Sequence, residues 1–136
     1  MTNEMKDTIR VLLADDEIEF ATTLSIRLNL RGFETTVAYS GHEALEKIDS
    51  KDLDVVILDL KMPDLDGLEV LARLRVNHPK LPVIILTGHG AFEAGKEGME
   101  LGAFDYIMKP ADLNLLTAKI EEAHETVSGS EAKRGR

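Results

Sequence analysis

No cysteine occurs in the chain, so a disulfide frame and a thiolate metal site are both excluded. The longest apolar runs fall far short of the roughly 18 residues needed to span a bilayer. The start, "MTNEMKDTIR", lacks the hydrophobic stretch of a secretory signal, and the sequence reads as a cytoplasmic protein. Positive charge is scarce. Sixteen Lys and Arg face 25 Asp and Glu, and the net charge of -9 disfavours nonspecific attraction to nucleic acid or to an anionic membrane. The one concentrated basic segment, "SGSEAKRGR" (128–136), is rich in Gly and Ser and poor in apolar residues, and its composition predicts a flexible tail or the start of a linker. There is no internal repeat, and 136 residues suffice for one domain with a proper core.

Apolar runs stand at "IRVLLA" (9–14), "FETTV" (33–37), "LDVVIL" (53–58), "LPVIIL" (81–86) and "FDYIM" (104–108). Their length and Val/Ile content suit strands. The segments between them have helical spacing: Ile18, Ala21, Leu24 and Leu28 form one stripe, and Leu113, Leu116, Ile120 and Ala123 another. Ser40 with Glu43 reads as a capping box, Asp66 and Asp112 as N-caps, and Gly32 and Gly102 as helix-ending glycines. Strand and helix therefore alternate five times. That pattern predicts an α/β fold, a doubly wound five-stranded parallel sheet in the flavodoxin-like order 2-1-3-4-5. The domain is bounded as a 1–8 extension, a 9–127 body and the 128–136 tail.

In such a sheet, ligands bind beyond the carboxyl ends of the strands, at the switch point between strands 1 and 3. Asp15 and Asp16 follow strand 1, Asp59 ends strand 3, Thr87 ends strand 4 and Lys109 ends strand 5. Three converging carboxylates repel one another unless one is protonated or a cation sits among them. All are hard oxygen ligands, which points to Mg2+, with Mn2+ as an alternative. A metal, an ammonium and a hydroxyl around a carboxylate form a cradle for a phosphoryl group, with Asp59 as the attacking nucleophile.

"VLLADDE", "VVILDLKMPDLDG", "VIILTGHG" and "DYIMKP" resemble the four signature blocks of the response-regulator receiver domain, in the right order and over nearly the whole chain. The resemblance implies that Asp59 accepts phosphate from a histidine kinase or a phosphotransfer protein. It implies that Asp16, Asp59 and the backbone carbonyl of Lys61 hold Mg2+, with Asp15 assisting through water. Thr87 and Lys109 would bind the phosphoryl oxygens, and the Lys109–Pro110 bond would be cis. Tyr106 matches the aromatic that, together with Thr87, reports phosphorylation to the surface formed by the fourth helix, fifth strand and fifth helix. Lys61 and His89 match the positions that tune dephosphorylation in the family. A downstream target or output domain, a homodimer through that same surface and a place in a phosphorelay are further implications, as is self-phosphorylation without classical enzyme turnover.

Taken singly, each residue has a plainer reading: Asp16 as a helix cap, Asp59 as a turn residue, Thr87 as a strand-end hydroxyl, Lys109 as a surface lysine, Tyr106 as packing. His42, His78 and His124 read as solvated surface. A phosphatase of the haloacid-dehalogenase type would need a second Asp two residues after Asp59, where Lys61 stands. A flavodoxin-type nucleotide module would want a Gly-rich loop where "ADDEIEF" stands. A receiver that has lost phosphorylation and serves as a docking surface is the third alternative. In the fourth helix, Gly95 and Gly98 cost roughly 1 kcal/mol each relative to alanine. They predict a loose helix that Gly95→Ala with Gly98→Ala would tighten, unless close packing requires them.

Overall fold

Side chains alternate across a strand, so the apolar runs divide by parity into two sets, one for each face of a sheet. A computed structural model of the chain describes residues 8–88 and 92–134, with side chains through residue 127. Its strands are β1 (Arg10–Ala14), β2 (Glu34–Ala38), β3 (Val55–Leu58), β4 (Val83–Thr87) and β5 (Asp105–Met108). Its helices are α1 (Ile18–Leu30), α2 (Gly41–Ser50), α3 (Gly67–Asn77), α4 (Phe92–Glu100) and α5 (Leu113–Arg134). All strand pairs are parallel and the order is β2-β1-β3-β4-β5, the flavodoxin-like arrangement that the alternation predicts.

Leu12, Ala14, Val56, Leu58, Val83 and Ile85 point to one face, where Ala44 and Ile48 of α2 and Val70, Leu71 and Leu74 of α3 cover them. Val11, Leu13, Val55, Ile57, Ile84 and Leu86 point to the other, under Ala21 and Leu28 of α1 and Leu116, Ile120 and Ala123 of α5. The central strand β3 is buried on both faces, with all four residues at 0% exposure. Each such side chain contributes about 1.5–3 kcal/mol, which is why the run "VVIL" does not alternate with polar residues.

The helix ends follow the sequence signals closely. Ser40 Oγ accepts from the amide of Glu43 at 3.1 Å, while Glu43 reaches back to the amide of Tyr39 at 2.7 Å. Asp66 accepts from Leu68 at 3.0 Å, and Asp112 from Leu115 at 2.9 Å. Gly32 and Gly102 have φ of 97° and 107°, a backbone that glycine adopts without strain.

Two expectations are corrected. Ile18 is 61% exposed, because the face that α1 turns inward is the stripe through Ala21, Ser25 and Leu28. Ser25 is accepted there because its hydroxyl donates to the carbonyl of Thr22 at 2.8 Å. α5 is helical as far as Arg134. Finally, the glycines of α4 are not signs of looseness. A Cβ on Gly95 would lie 2.5 Å from the ring of Tyr106, and one on Gly98 would lie 2.3 Å from Ile85 Cδ1. Close packing against the ring requires glycine at 95, whereas at 98 the terminal methyl of Ile85 can turn aside.

Candidate functional site

Each chemistry-bearing residue at the sheet's carboxyl edge is fixed by its own main chain before its side chain acts. The amide of Asp15 donates to Ala38 at 3.0 Å and that of Asp59 to Ala14 at 2.9 Å, so both backbones prolong the strand ladders by one residue. The amide of Lys109 likewise donates to the carbonyl of Thr87 at 2.8 Å. Asp15, Asp59 and Thr87 are buried, at 1%, 5% and 0% exposure. The Lys109–Pro110 peptide bond is cis.

The two oxygens of Asp59 are engaged unequally. Oδ1 accepts from the Thr87 hydroxyl at 2.8 Å and from the Lys61 amide at 3.2 Å. Among the described residues, Oδ2 meets only the Lys109 ammonium, at 3.4 Å. That ammonium lies nearer to Asp15 Oδ2, at 2.8 Å, and to Glu17 Oε1, at 2.5 Å. It also stands 4.5 Å from the centre of the Phe20 ring, a cation–π arrangement. Asp15 Oδ2 makes this charge contact without a well-directed hydrogen bond.

Burial pushes the Asp15 carboxyl up to about 6; the Lys109 contact and the Glu17 amide, which donates to Asp15 Oδ1 at 2.9 Å, oppose the rise. For Lys109 burial works against the charge, but Asp15, Glu17 and Asp59 outweigh it and hold the ammonium above its ordinary range. Lys109 is thus the resident counter-ion of the cluster.

Among the described residues, carboxylate oxygens of Asp15, Glu17 and Asp59 lie within 4.8 Å of one another, close enough to share a cation. Asp16 is half-buried and stands outside that group. Glu17 is the residue that sequence reasoning missed. Its signal is the third acid of "ADDE", which in isolation reads as a favourable charge at a helix start. It is the N-cap residue of α1, yet it makes no side-chain cap bond; its carboxylate goes to Lys109. The side chain of Lys61 is exposed, and only its main chain joins the site. Tyr106 lies on the α4 face of β5, half-buried against Gly95, with a buried hydroxyl that finds no partner among the described residues. His89 lies outside the described residues.

Two cavities help to place the site. One of about 450 Å³ adjoins it, lined by Phe20, Leu24 and Arg27 of α1 and by Pro110, Ala111 and Leu113 after β5. The other, about 570 Å³, opens at the opposite end of the sheet, beside Asp54 and Pro82 ahead of β3 and β4, away from the rim carboxylates. Among the described residues no helix is long and apolar enough to cross a membrane.

The family model described as "Response regulator receiver domain" matches residues 11–121. The chain is 33% identical over 129 residues to the transcriptional regulatory protein ZraR of Salmonella typhimurium. It is 38% identical over 114 residues to the regulatory protein AtoC of Escherichia coli. These alignments cover 93% and 84% of the chain but only 29% and 25% of the relatives. Among solved structures, it resembles a CheY-like receiver domain protein from Methanospirillum hungatei, with a TM-score of 0.86 at 28% identity, covering 91% of this chain and 99% of that one. NtrX from Brucella abortus gives a TM-score of 0.88 at 32% identity, over 96% of this chain and 30% of its own.

Proposed function

The chain belongs to the response regulator receiver domain family, whose general function is phosphorylation-dependent signalling, and from that membership we propose that Asp59 receives the phosphoryl group. The unequal engagement of its two oxygens carries the assignment. Thr87 and the Lys61 amide orient the carboxylate through Oδ1 and leave the lone pairs of Oδ2 open. Oδ2 attacks phosphorus in line; the O–P bond forms as the donor's P–N or P–O bond breaks, and that electron pair leaves with the donor. Lys109 then turns toward the transferred oxygens, and Thr87 passes its hydrogen bond from Asp59 Oδ1 to one of them.

Receiver domains hold Mg2+ in an acidic pocket, and the all-oxygen donor set, with an undirected buried oxygen on Asp15, fits such a cation. Asp16, Asp59 and the Lys61 carbonyl would hold it directly and Asp15 through water, with Mn2+ as an alternative. When bound, the cation supplies neutralisation of the charge that develops on the phosphoryl oxygens. Self-phosphorylation from a small donor and slow loss of the group would follow from the same residues, with Lys61 and His89 tuning the lifetime.

Phosphorylation would bias a two-state equilibrium read through Thr87 and Tyr106. Exposed Phe92, Met99, Leu101, Met108 and Leu115 around α4, β5 and α5 support a target or homodimer surface there. The cavity between α1 and the segment after β5 supports docking of a histidine kinase or phosphotransfer protein beside the site. Relatives such as ZraR are named as transcriptional regulators. In a regulator of that kind, this acidic domain would act through an output domain and make no direct contact with nucleic acid.

Intact mass after incubation with acetyl phosphate and Mg2+ tests the assignment. Wild type should gain one phosphoryl group, metal-dependently, and Asp59→Asn none. No gain in wild type, with the metal shown to bind, would leave a silent docking surface as the better reading.

A further inference from the structure

The first turn of a helix leaves its amides without intrahelical partners, and a single N-cap side chain satisfies only one or two of them. In α2, Ser40 takes the amide of Glu43. The amides of Gly41 and His42 are taken instead by one carboxylate from elsewhere in the chain. Asp64 Oδ1 accepts from Gly41 at 2.9 Å, and Oδ2 accepts from His42 at 3.0 Å. His42 Nδ1 lies 2.8 Å from the same Oδ2, so this exposed histidine is partnered rather than merely solvated. The amides of Gly41 and His42 are the largest influences on Asp64 and hold its carboxyl well below the usual range.

Asp64 belongs to the segment that joins Asp59 to α3. That segment is pinned at both ends: Asp59 donates to Ala14, and Gly67 donates to Leu60 at 3.1 Å. Gly67 sits so close to the segment's start that a Cβ there would lie 2.5 Å from Leu60 Cα. At α2 the fit is equally close, for a Cβ on Gly41 would lie 2.7 Å from Leu65 Cβ and 3.2 Å from the Leu65 carbonyl oxygen. Leu60 and Met62 are buried, and between them stands Lys61, whose amide holds Asp59.

We propose that Asp64 is a positioning residue, clamping the β3–α3 segment to the N-terminus of α2 so that the main chain of Lys61 keeps its place at Asp59. The consequence for the site rests on the reading of Asp59 and Lys61 given above; the clamp itself rests on hydrogen bonds and close approach alone. The Lys61 amide must stay within reach of Asp59 Oδ1, 3.2 Å away, and that contact tolerates little movement. Three hydrogen bonds to a neighbouring helix supply the restraint that a short, otherwise irregular segment lacks.

The test compares Asp64→Ala, Asp64→Asn and Ser40→Ala in the full chain. Two quantities are read: the Mg2+ dissociation constant by calorimetric titration without phosphodonor, and the Lys61 amide resonance in metal-free protein. Asp64→Ala should weaken Mg2+ about tenfold, the lower end for groups that orient ligands from outside, and displace the Lys61 resonance. Asp64→Asn, which keeps one carbonyl oxygen as an acceptor, should fall between. Ser40→Ala removes a cap from the same helix without touching the segment and should leave both quantities at wild-type values. Wild-type behaviour of Asp64→Ala overturns the proposal, and so does an equal loss in Ser40→Ala. If wild type binds no Mg2+, the metal reading fails and the Lys61 resonance decides alone: displaced in Asp64→Ala, the clamp stands; unmoved, it falls.

Discussion

Replacing Gly95 by alanine sets helix propensity against packing, and the structure says which wins. Propensity alone favours alanine by about 1 kcal/mol at an interior helical position. Against it, the new methyl would stand 2.5, 2.6 and 2.8 Å from Cε1, Cζ and Cδ1 of Tyr106. Ordinary carbon contacts lie near 3.5–4.0 Å, so a flat, rigid ring must shift by about 1 Å or leave its place. Overpacking of this kind costs about 1–3 kcal/mol. The net expectation is a destabilisation of about 0–2 kcal/mol, with Tyr106 displaced toward solvent. Gly98→Ala differs in kind. Its one severe contact is the terminal methyl of Ile85, which can rotate away, so its cost should be smaller. The chain has two tyrosines and no tryptophan, so tyrosine fluorescence in a Tyr39→Phe background isolates Tyr106. Urea unfolding followed by that signal gives stability and environment together. Pairing Gly95→Ala with Tyr106→Ala, with unfolding followed by far-ultraviolet circular dichroism because no tyrosine then remains, should recover the clash as a coupling energy. A Gly95→Ala protein more stable than wild type by about 1 kcal/mol, with an unchanged Tyr106 signal, would refute the reasoning.

Two further outcomes follow from the rim charges, both in metal-free buffer. Lys109→Met strands the carboxylates of Asp15 and Asp59 and should cost about 3 kcal/mol at pH 7.5, less at pH 5, by urea denaturation; a loss that does not change with pH would exclude Asp15 as its main cause. Burial raises Asp15 from 3.8 to about 6 in the folded protein, so the stability from its protonation is fully present below about 3.8 and is lost as pH rises through about 6. Asp15→Asn cannot ionise, so it should be more stable than wild type at pH 7.5 by on the order of 1–3 kcal/mol, an advantage that shrinks toward pH 4. Parallel pH–stability curves for the two proteins would count against this account.

The sheet was legible because a parallel strand buried on both faces writes itself as a short unbroken run, and "VVIL" and "VIILT" are such runs. The rim followed from topology, since every strand end of a parallel sheet lies on one edge. What sequence reasoning misjudged was decided by partners distant along the chain. The cost of Gly95 is visible locally, but the reason for it is a ring that follows in β5. Glu17 looks like a helix-start acid until Lys109 arrives from the far end of the chain. Asp64 looks like an ordinary turn residue before α3, and only the fold brings it to α2. Ile18 obeys helical periodicity, but α1 turns Ala21, Ser25 and Leu28 inward and leaves Ile18 61% exposed.

The amides of Asp15, Asp59 and Lys109 are bonded into the sheet's own ladders. Bonds of the inner strands lie at the high end of a domain's opening energies, near that of global unfolding. The amides of Asp15 and Asp59, at the ends of the inner strands β1 and β3, should therefore exchange with solvent deuterium about as slowly as the core of β3. The edge proposed to accept the phosphoryl group then has no melting point of its own. Heat or denaturant should extinguish phosphoryl uptake and the far-ultraviolet signal of the fold at a single midpoint, and a variant that weakens the domain anywhere should move both together.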